Sequence, residues 1–442
     1  MIHITIFALA LLPIISTASA SDQIPGAPQK KPIALVNAVL HPINGPAIED
    51  GTLIFDNGKI VSLGQRMEPP ADADVIDLKG KHVYPSLIES HSHMGLVEIS
   101  STRATLDMSE IGAINPNVRA HVSVNPDSEL IPVTRANGVL IAVSAPSGGL
   151  VSGKASVLQL DGWTYEDMTL KPDCALMINW PQMAPEMIHV LGPESDGQAK
   201  DRDKERFEPL QDLRELFENT RTYMTARASN PKAQPFDSRL DSMIPVVEGL
   251  IPLLISADLA NQIQSAVAFG VEQKVKVIIL GGHDAEMCAE LLRRYDVPII
   301  VDAVHKTPRR AHKEYDAAYT LPERLRRAEI RFCIAATGRS ETWNTRNLPY
   351  HAATAAAYGL PREDALRSIT QYPAEILGIA DRVGTLAEGK DATLFVSDGD
   401  PLETDTLVTA AWIQGRKVDL TSRHTQLYDK YRTKYRQLKS SR

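Results

Sequence analysis

The chain has 442 residues, 43% of them hydrophobic, and 47 Lys+Arg against 55 Asp+Glu give a formal net charge of −8. That length and apolar content exclude disordered, collagen-like and multi-span membrane chains, and suit one large domain or two ordinary ones. The acidic balance argues against nucleic acid or an anionic membrane as main partner, and three cysteines (Cys174, Cys288, Cys333) are too few for a disulfide framework.

Residues Met1–Ala20 hold no Asp, Glu, Lys or Arg. Their apolar run Ile4–Ile15 is shorter than the roughly 20 residues of a span, and Ala18-Ser19-Ala20 offers a small-x-small cleavage pattern. Residues 1–20 therefore read as a cleaved secretory signal, with an uncleaved anchor as the alternative. The mature chain is expected to be secreted or periplasmic, without a stable membrane span. Residues 21–32 read as a Pro/Gly-rich linker. Short β-rich runs follow at Ile33–Val36, Gly51–Phe55, Lys59–Leu63 and Val75–Leu78, and Asp56-Asn57-Gly58 predicts a tight hairpin. The same texture returns at Ala392–Val396 and Thr406–Arg416. Residues 33–84 and 383–422 are thus expected to form one small β-sandwich domain from both ends of the chain.

Between them, residues 85–382 alternate apolar runs with helical stretches. The eight runs are Leu87-Ile88, Gly138–Val143, Ala155–Leu160, Cys174–Ile178, Ile251–Ile255, Val275–Leu280, Val297–Val301 and Phe332–Ala336. Continuous apolar strands joined by helices indicate a parallel sheet, and eight of them an α/β fold of the (β/α)8 barrel type. Helices are expected at Glu208–Ala228, Ala260–Val271, Ala285–Tyr295 and Pro322–Glu329, with Asp201–Ser229 a charged surface insertion after the fourth strand. No GxGxxG follows an early strand and no GxxxxGKS/T occurs, which removes the usual nucleotide sites. Residues 423–442 carry seven Lys/Arg, with Leu427, Tyr431 and Tyr435 at helical spacing. A basic helix docking its aromatic stripe on the body is expected, with a membrane-surface role as the alternative.

The motif that carries chemistry follows the first apolar run: Tyr84-Pro-Ser-Leu-Ile-Glu-Ser-His91-Ser-His93-Met-Gly95. Histidines two apart on an extended chain point to one side. At the C-terminal end of a barrel strand, that side is the mouth where such barrels place their sites. Imidazole suits Zn, Fe, Ni or Cu, although two turn histidines would give the same pattern.

A small N-terminal β segment, HxH after the first barrel strand and a return to the β domain resemble the amidohydrolase superfamily. More narrowly, the chain resembles the imidazolonepropionase-like secreted amidohydrolases over nearly all of its mature length. Val83–His93 is similar to that family's V-x-P-G-L-I-D-x-H-x-H. Ser368–Gly378 and Gly384–Leu394 are similar to its T-x-x-P-A-x-x-L-G and G-x-L-x-x-G-K-x-A-D-L. The resemblance implies a metal-activated water attacking the carbonyl of a carbon–nitrogen bond in a small amide, cyclic amide or dipeptide-like substrate. It also implies a carboxylated lysine after the fourth strand, histidines after the fifth and sixth, and an aspartate after the eighth.

This sequence departs from that set. Ala175–Trp180 has no lysine, Leu254–Asp258 no histidine, and Ala336–Thr342 no aspartate, while Gly281-Gly282-His283-Asp284 does supply a histidine. Serine replaces glycine at Ser86, and glutamate replaces aspartate at Glu89. What remains is His91, His93 and His283 as ligands of at most one divalent ion, Zn or Fe. The alternative is that His283 starts the following helix and touches no ion. His305, Asp258 and Glu341 are weaker candidates as ligand or base. His82, His121, His189, His312 and His351 read as structural or solvated, Asp107 and Glu110 as loop residues, and Ala145–Gly153 as a tight turn. The alternative function is a catalytically degenerate binding or scaffolding protein of the same fold. Nucleic acid is not an expected partner, and homo-oligomerisation is left open.

Overall fold

The computed structural model describes residues 23–183, 196–231, 234–308, 313–336 and 342–440. The expected signal sequence, Glu341, His189 and His312 lie outside the described residues.

Among the described residues, sixteen strands form two sheets. The first contains β1 (Ile33–Leu40), β2 (Ile48–Asp56), β3 (Lys59–Gln65), β4 (Asp74–Asp77) and β5 (His82–Pro85) from the N-terminal segment. Strands β14 (Leu394–Ser397), β15 (Val408–Ile413) and β16 (Arg416–Lys417) join it from the far end of the chain. The order is β16-β15-β14-β5-β1-β2-β3. One edge of β1 is shared, with β4 pairing to Ile33–Val36 and β5 to Val39 and Leu40. The sheet therefore branches there and encloses Leu35, Leu53, Phe55, Leu394 and Trp412. Asn57 and Gly58 both take left-handed backbone (φ 48° and 77°), the geometry that lets a two-residue turn follow strand twist. Gln414-Gly415 repeats the device between β15 and β16 (φ 48° and 73°).

The second sheet is the barrel: β6 (Leu87–Ser92), β7 (Val139–Ser144), β8 (Val151–Gln159), β9 (Thr169–Asn179), β10 (Leu253–Ala257), β11 (Val277–Gly281), β12 (Ile299–Asp302) and β13 (Phe332–Ala335), paired in sequence order. All eight apolar runs became its strands. One departs from the expected parallel arrangement: β8 runs antiparallel to both β7 and β9. The link from β7 to β8 is only Ala145–Leu150, and a parallel crossover needs roughly a dozen residues or more. Alternate side chains, among them Ile88, Ile141, Val157, Met177, Leu254, Ile300 and Cys333, fill the interior. The opposite faces pack on the surrounding helices.

Strands β13 and β6 end the pairing path and face each other without ladder pairs among the described residues. The gap is bridged otherwise. Ile334 N–H donates to Ser368 O (3.0 Å) and Ile88 N–H to Ile369 O (2.8 Å), so the segment before the helix Gln371–Ile376 ties the two edges at their base.

The helix Asp196–Ser229 follows β9 as expected, but it is no mere surface insertion: Leu213 and Phe217 are fully buried against the barrel. All three cysteines are buried and free, and burial pushes the Cys174 and Cys333 thiols up to about 12, so they behave as small apolar side chains. Domain and barrel are clasped at Asp161, just past β8. Its carboxylate accepts from Arg135 (2.8 Å) and Gly26 N–H (3.1 Å), with Arg416 of β16 at 3.5 Å.

Candidate active site at the barrel mouth

His91 and His93 lie at the C-terminal end of β6, both buried, with ring centroids 5.7 Å apart. The β6–β7 register slips between Glu89 and Ser92, and such an irregularity re-aims side chains at a strand's end. His93 Nδ1 lies 2.6 Å from Ala145 O, so it carries the proton and leaves Nε2 as a lone-pair donor. Burial, reinforced by His93, lowers the His91 pKa to about 4, so this ring is neutral at ordinary pH. Glu89 is fully buried between two backbone donors, His91 N–H (3.2 Å) and Ala336 N–H (2.9 Å). It thereby fastens β6 to the end of β13, and burial pushes its carboxyl up to about 8.

His283 reaches the same mouth by a glycine turn. Gly281 and Gly282 have φ of 104° and 68°, and a Cβ on Gly281 would run into the Asp258 carboxylate. Gly282 N–H and Asp284 N–H donate to Ala257 O and Asp258 O (both 2.9 Å), stitching the exit of β11 to that of β10. His283 Nε2 consequently lies 3.7 Å from Asp258 Oδ1. Burial and then the nearby Lys306 ammonium lower the His283 pKa to about 4, and Asp302 opposes the shift.

Asp302 and Lys306, absent from the sequence expectations, stand between these groups. Asp302 ends β12, pairs through Oδ2 with Lys306 Nζ at 2.8 Å, and acts electrostatically on both His91 and His283. Its Oδ1 is buried and makes no hydrogen bond to any described residue. Ala303, the next residue, takes φ 63°, a costly conformation for a side chain with a Cβ. A carboxylate directly after the buried run Val297–Val301 was the available signal.

The other candidates separate. His305 faces away, bonded through Nε2 to Thr354 Oγ1 (2.7 Å) and packed on His351. His351 accepts from Val304 N–H and His305 N–H, His121 bonds Ser156, and His82 bonds His41, so all three are structural. Asp107 and Glu110 are exposed. Gly149 packs against Gly112 and Ala113, and Leu150 N–H and Val151 N–H both donate to Ala113 O, so the glycine-rich turn spends its donors internally.

The residues present do not fit a two-ion centre. The end of β9 supplies Asn179, whose amide donates to Gly149 O and Ser152 Oγ, and the end of β10 supplies Ser256 and Asp258. Among the described residues, no three His, Cys, Asp or Glu side chains group closely enough to hold an ion. His93 nonetheless has the backbone-oriented ring of a metal ligand, and His91 the lowered pKa of a neutral one.

A family model described as the amidohydrolase family matches residues 338–425. An amidohydrolase of Hapsidospora irregularis is 22% identical over 433 residues, covering 87% of this chain and 43% of its own length. This chain therefore spans less than half of that relative. An amidohydrolase from Thermotoga maritima superposes with a TM-score of 0.76 at 25% identity, covering 88% of this chain and 99% of that one. A prolidase complexed with N-methylphosphonate-L-proline shares the fold, with a TM-score of 0.52 at 16% identity over 88% of this chain and 99% of its own. The motifs, the barrel with its two-ended β domain and these similarities together support the amidohydrolase superfamily as the one this chain resembles.

Proposed function

We propose that the protein is an exported hydrolase that cleaves the carbon–nitrogen bond of a small amide, cyclic amide or dipeptide-like molecule at the barrel mouth. The observation that carries this reading is the buried His91–His93 pair, with His93 bonded to Ala145 O and Asp302 acting electrostatically on both His91 and His283. One divalent ion, Zn or Fe, on His91, His93 and His283 requires these side chains to draw together, since they do not group closely enough in the structure; an ion so held would supply an activated water and polarise the carbonyl. Asp302 is the carboxylate placed to take the proton of the attacking water and return it to the departing nitrogen. Lys306 orients that carboxylate through their 2.8 Å pair. The products are then a carboxylic acid and an amine.

The test is ion content and turnover on the same sample. The purified chain, exposed to Zn or Fe, is expected to bind an ion that His91→Ala/His93→Ala loses, and to hydrolyse members of an amide and dipeptide panel unless a chelator is present. Content below about a tenth of an ion per chain would remove the metal from this reading. Full content without turnover on any substrate would remove the hydrolase. One observation favours a second reading, a binding protein that has lost catalysis: the Lys306 ammonium already neutralises Asp302 where an ion's charge would be needed.

A further inference from the structure

The helix Arg423–Ser440 overturns the expectation that it docks on the body, since all its described side chains are exposed, with Tyr428 and Tyr435 more than 60% so. Ser422 and Thr425 cap its start through reciprocal bonds. At 3.6 residues per turn, Leu427, Leu438, Tyr431, His424, Tyr435 and Tyr428 fall within one arc of about 100°. Three cations border one side of that arc (Arg423, Lys430, Lys434) and three the other (Arg432, Arg436, Lys439). The back of the helix is Thr425, Gln426, Asp429, Thr433 and Gln437. Lys430 and Lys434 each sit 6.0 Å from the Tyr431 ring centroid, and Arg432 lies 5.2 Å from that of Tyr428.

We propose that this helix is a docking surface for an anionic lipid bilayer, lying in the headgroup plane and tethering the body to it. Charge selects this occupant. Six cations against the single Asp429 form a local positive field that the chain's overall −8 conceals. Cations on both borders of an apolar arc place ammonium and guanidinium groups at phosphate depth while tyrosine and leucine enter the acyl boundary. Pairing with a second copy would set the same cations against each other, the arrangement that destabilises helix pairs. Spanning is not the mode, because among the described residues no helix is long and apolar enough to cross a membrane.

Sedimentation of the full chain with vesicles tests the proposal. Vesicles of phosphatidylcholine containing about one-third phosphatidylglycerol should retain it at least about tenfold better than phosphatidylcholine alone, and added salt should release it. Replacing Lys430, Arg432, Lys434 and Arg436 together by Gln should abolish retention, and Tyr431→Ser/Tyr435→Ser should weaken it about tenfold. Thermal unfolding of the body should not change in either variant, which separates lost docking from lost folding. Equal retention on both vesicle types overturns the proposal. So does a lipid-free dimer that requires the two tyrosines, or oligonucleotide binding as tight as vesicle binding that ignores them.

Discussion

Asp161 receives bonds from three directions: helix residue Arg135 of the barrel, Gly26 of the N-terminal segment and Arg416 of β16. Replacing it by Asn keeps its shape and removes its charge, leaving the Arg135 guanidinium with only the weaker attraction of Asp419. The two side chains are only 5% and 2% exposed, so solvent does not screen the loss. Breaking such a pair from one side costs about 3–5 kcal/mol. With an unfolding entropy of roughly 2.1 cal/mol/K per residue over a body of some 400 residues, that corresponds to a fall in Tm of about 4–6 °C. Scanning calorimetry of Asp161→Asn reads it directly. The companion variant Arg135→Met/Asp161→Leu removes both charges and should recover most of the loss, because the cost lies in the orphaned charge. A drop below about 1 °C in Asp161→Asn, or a double variant as unstable as the sum of its parts, refutes the reasoning.

Gly281→Ala should force Asp258 and His283 apart and strain a backbone at φ 104°, lowering turnover on any identified substrate and costing about 1–3 kcal/mol in denaturant melts; wild-type values in both would contradict the turn's role. Burial, with His305 and Lys306, holds the His351 pKa down to about 3, so its contribution is present above pH 6.5 and is lost as pH falls toward 3. It amounts to about 5 kcal/mol across that window. His351→Asn keeps an acceptor for Val304 N–H without titrating, so urea midpoints should fall less steeply with acid than in wild type; parallel curves would discard the assignment. Lys306→Met frees Asp302 Oδ2 and should raise divalent-ion content above wild type, whereas unchanged content would show that the ammonium does not compete for the site.

Most of the architecture was legible because strands here are written as apolar runs between turns. Asp56-Asn57-Gly58 announced its hairpin, and all eight barrel strands were found from composition. The reversal of β8 was not, since an apolar run carries no direction; only the shortness of Ala145–Leu150 held that information. The site was half legible. HxH on an extended chain dictates a shared side, which no packing detail can undo. Asp302 and Lys306 come from a strand end whose local sequence offers no motif, and barrel closure alone brings them to His91. For Arg423–Ser440, periodicity revealed an apolar face correctly, but a pattern cannot say what covers it.

The bridged seam gives the histidine pair an unusual dependence. Among the described residues strand β6 is laddered along one edge only, so its polar restraint on the other comes from the Glu89 carboxylate, the Ser90 hydroxyl reaching Ile334 O (3.5 Å) and the Ile369 carbonyl. Residues 368–369 lie far from His91 in the sequence, yet their carbonyls hold the edges of β6 and β13 and so bear on the pitch at which β6 delivers it. Variation there acts as an adjustment of site geometry transmitted through the floor of the barrel.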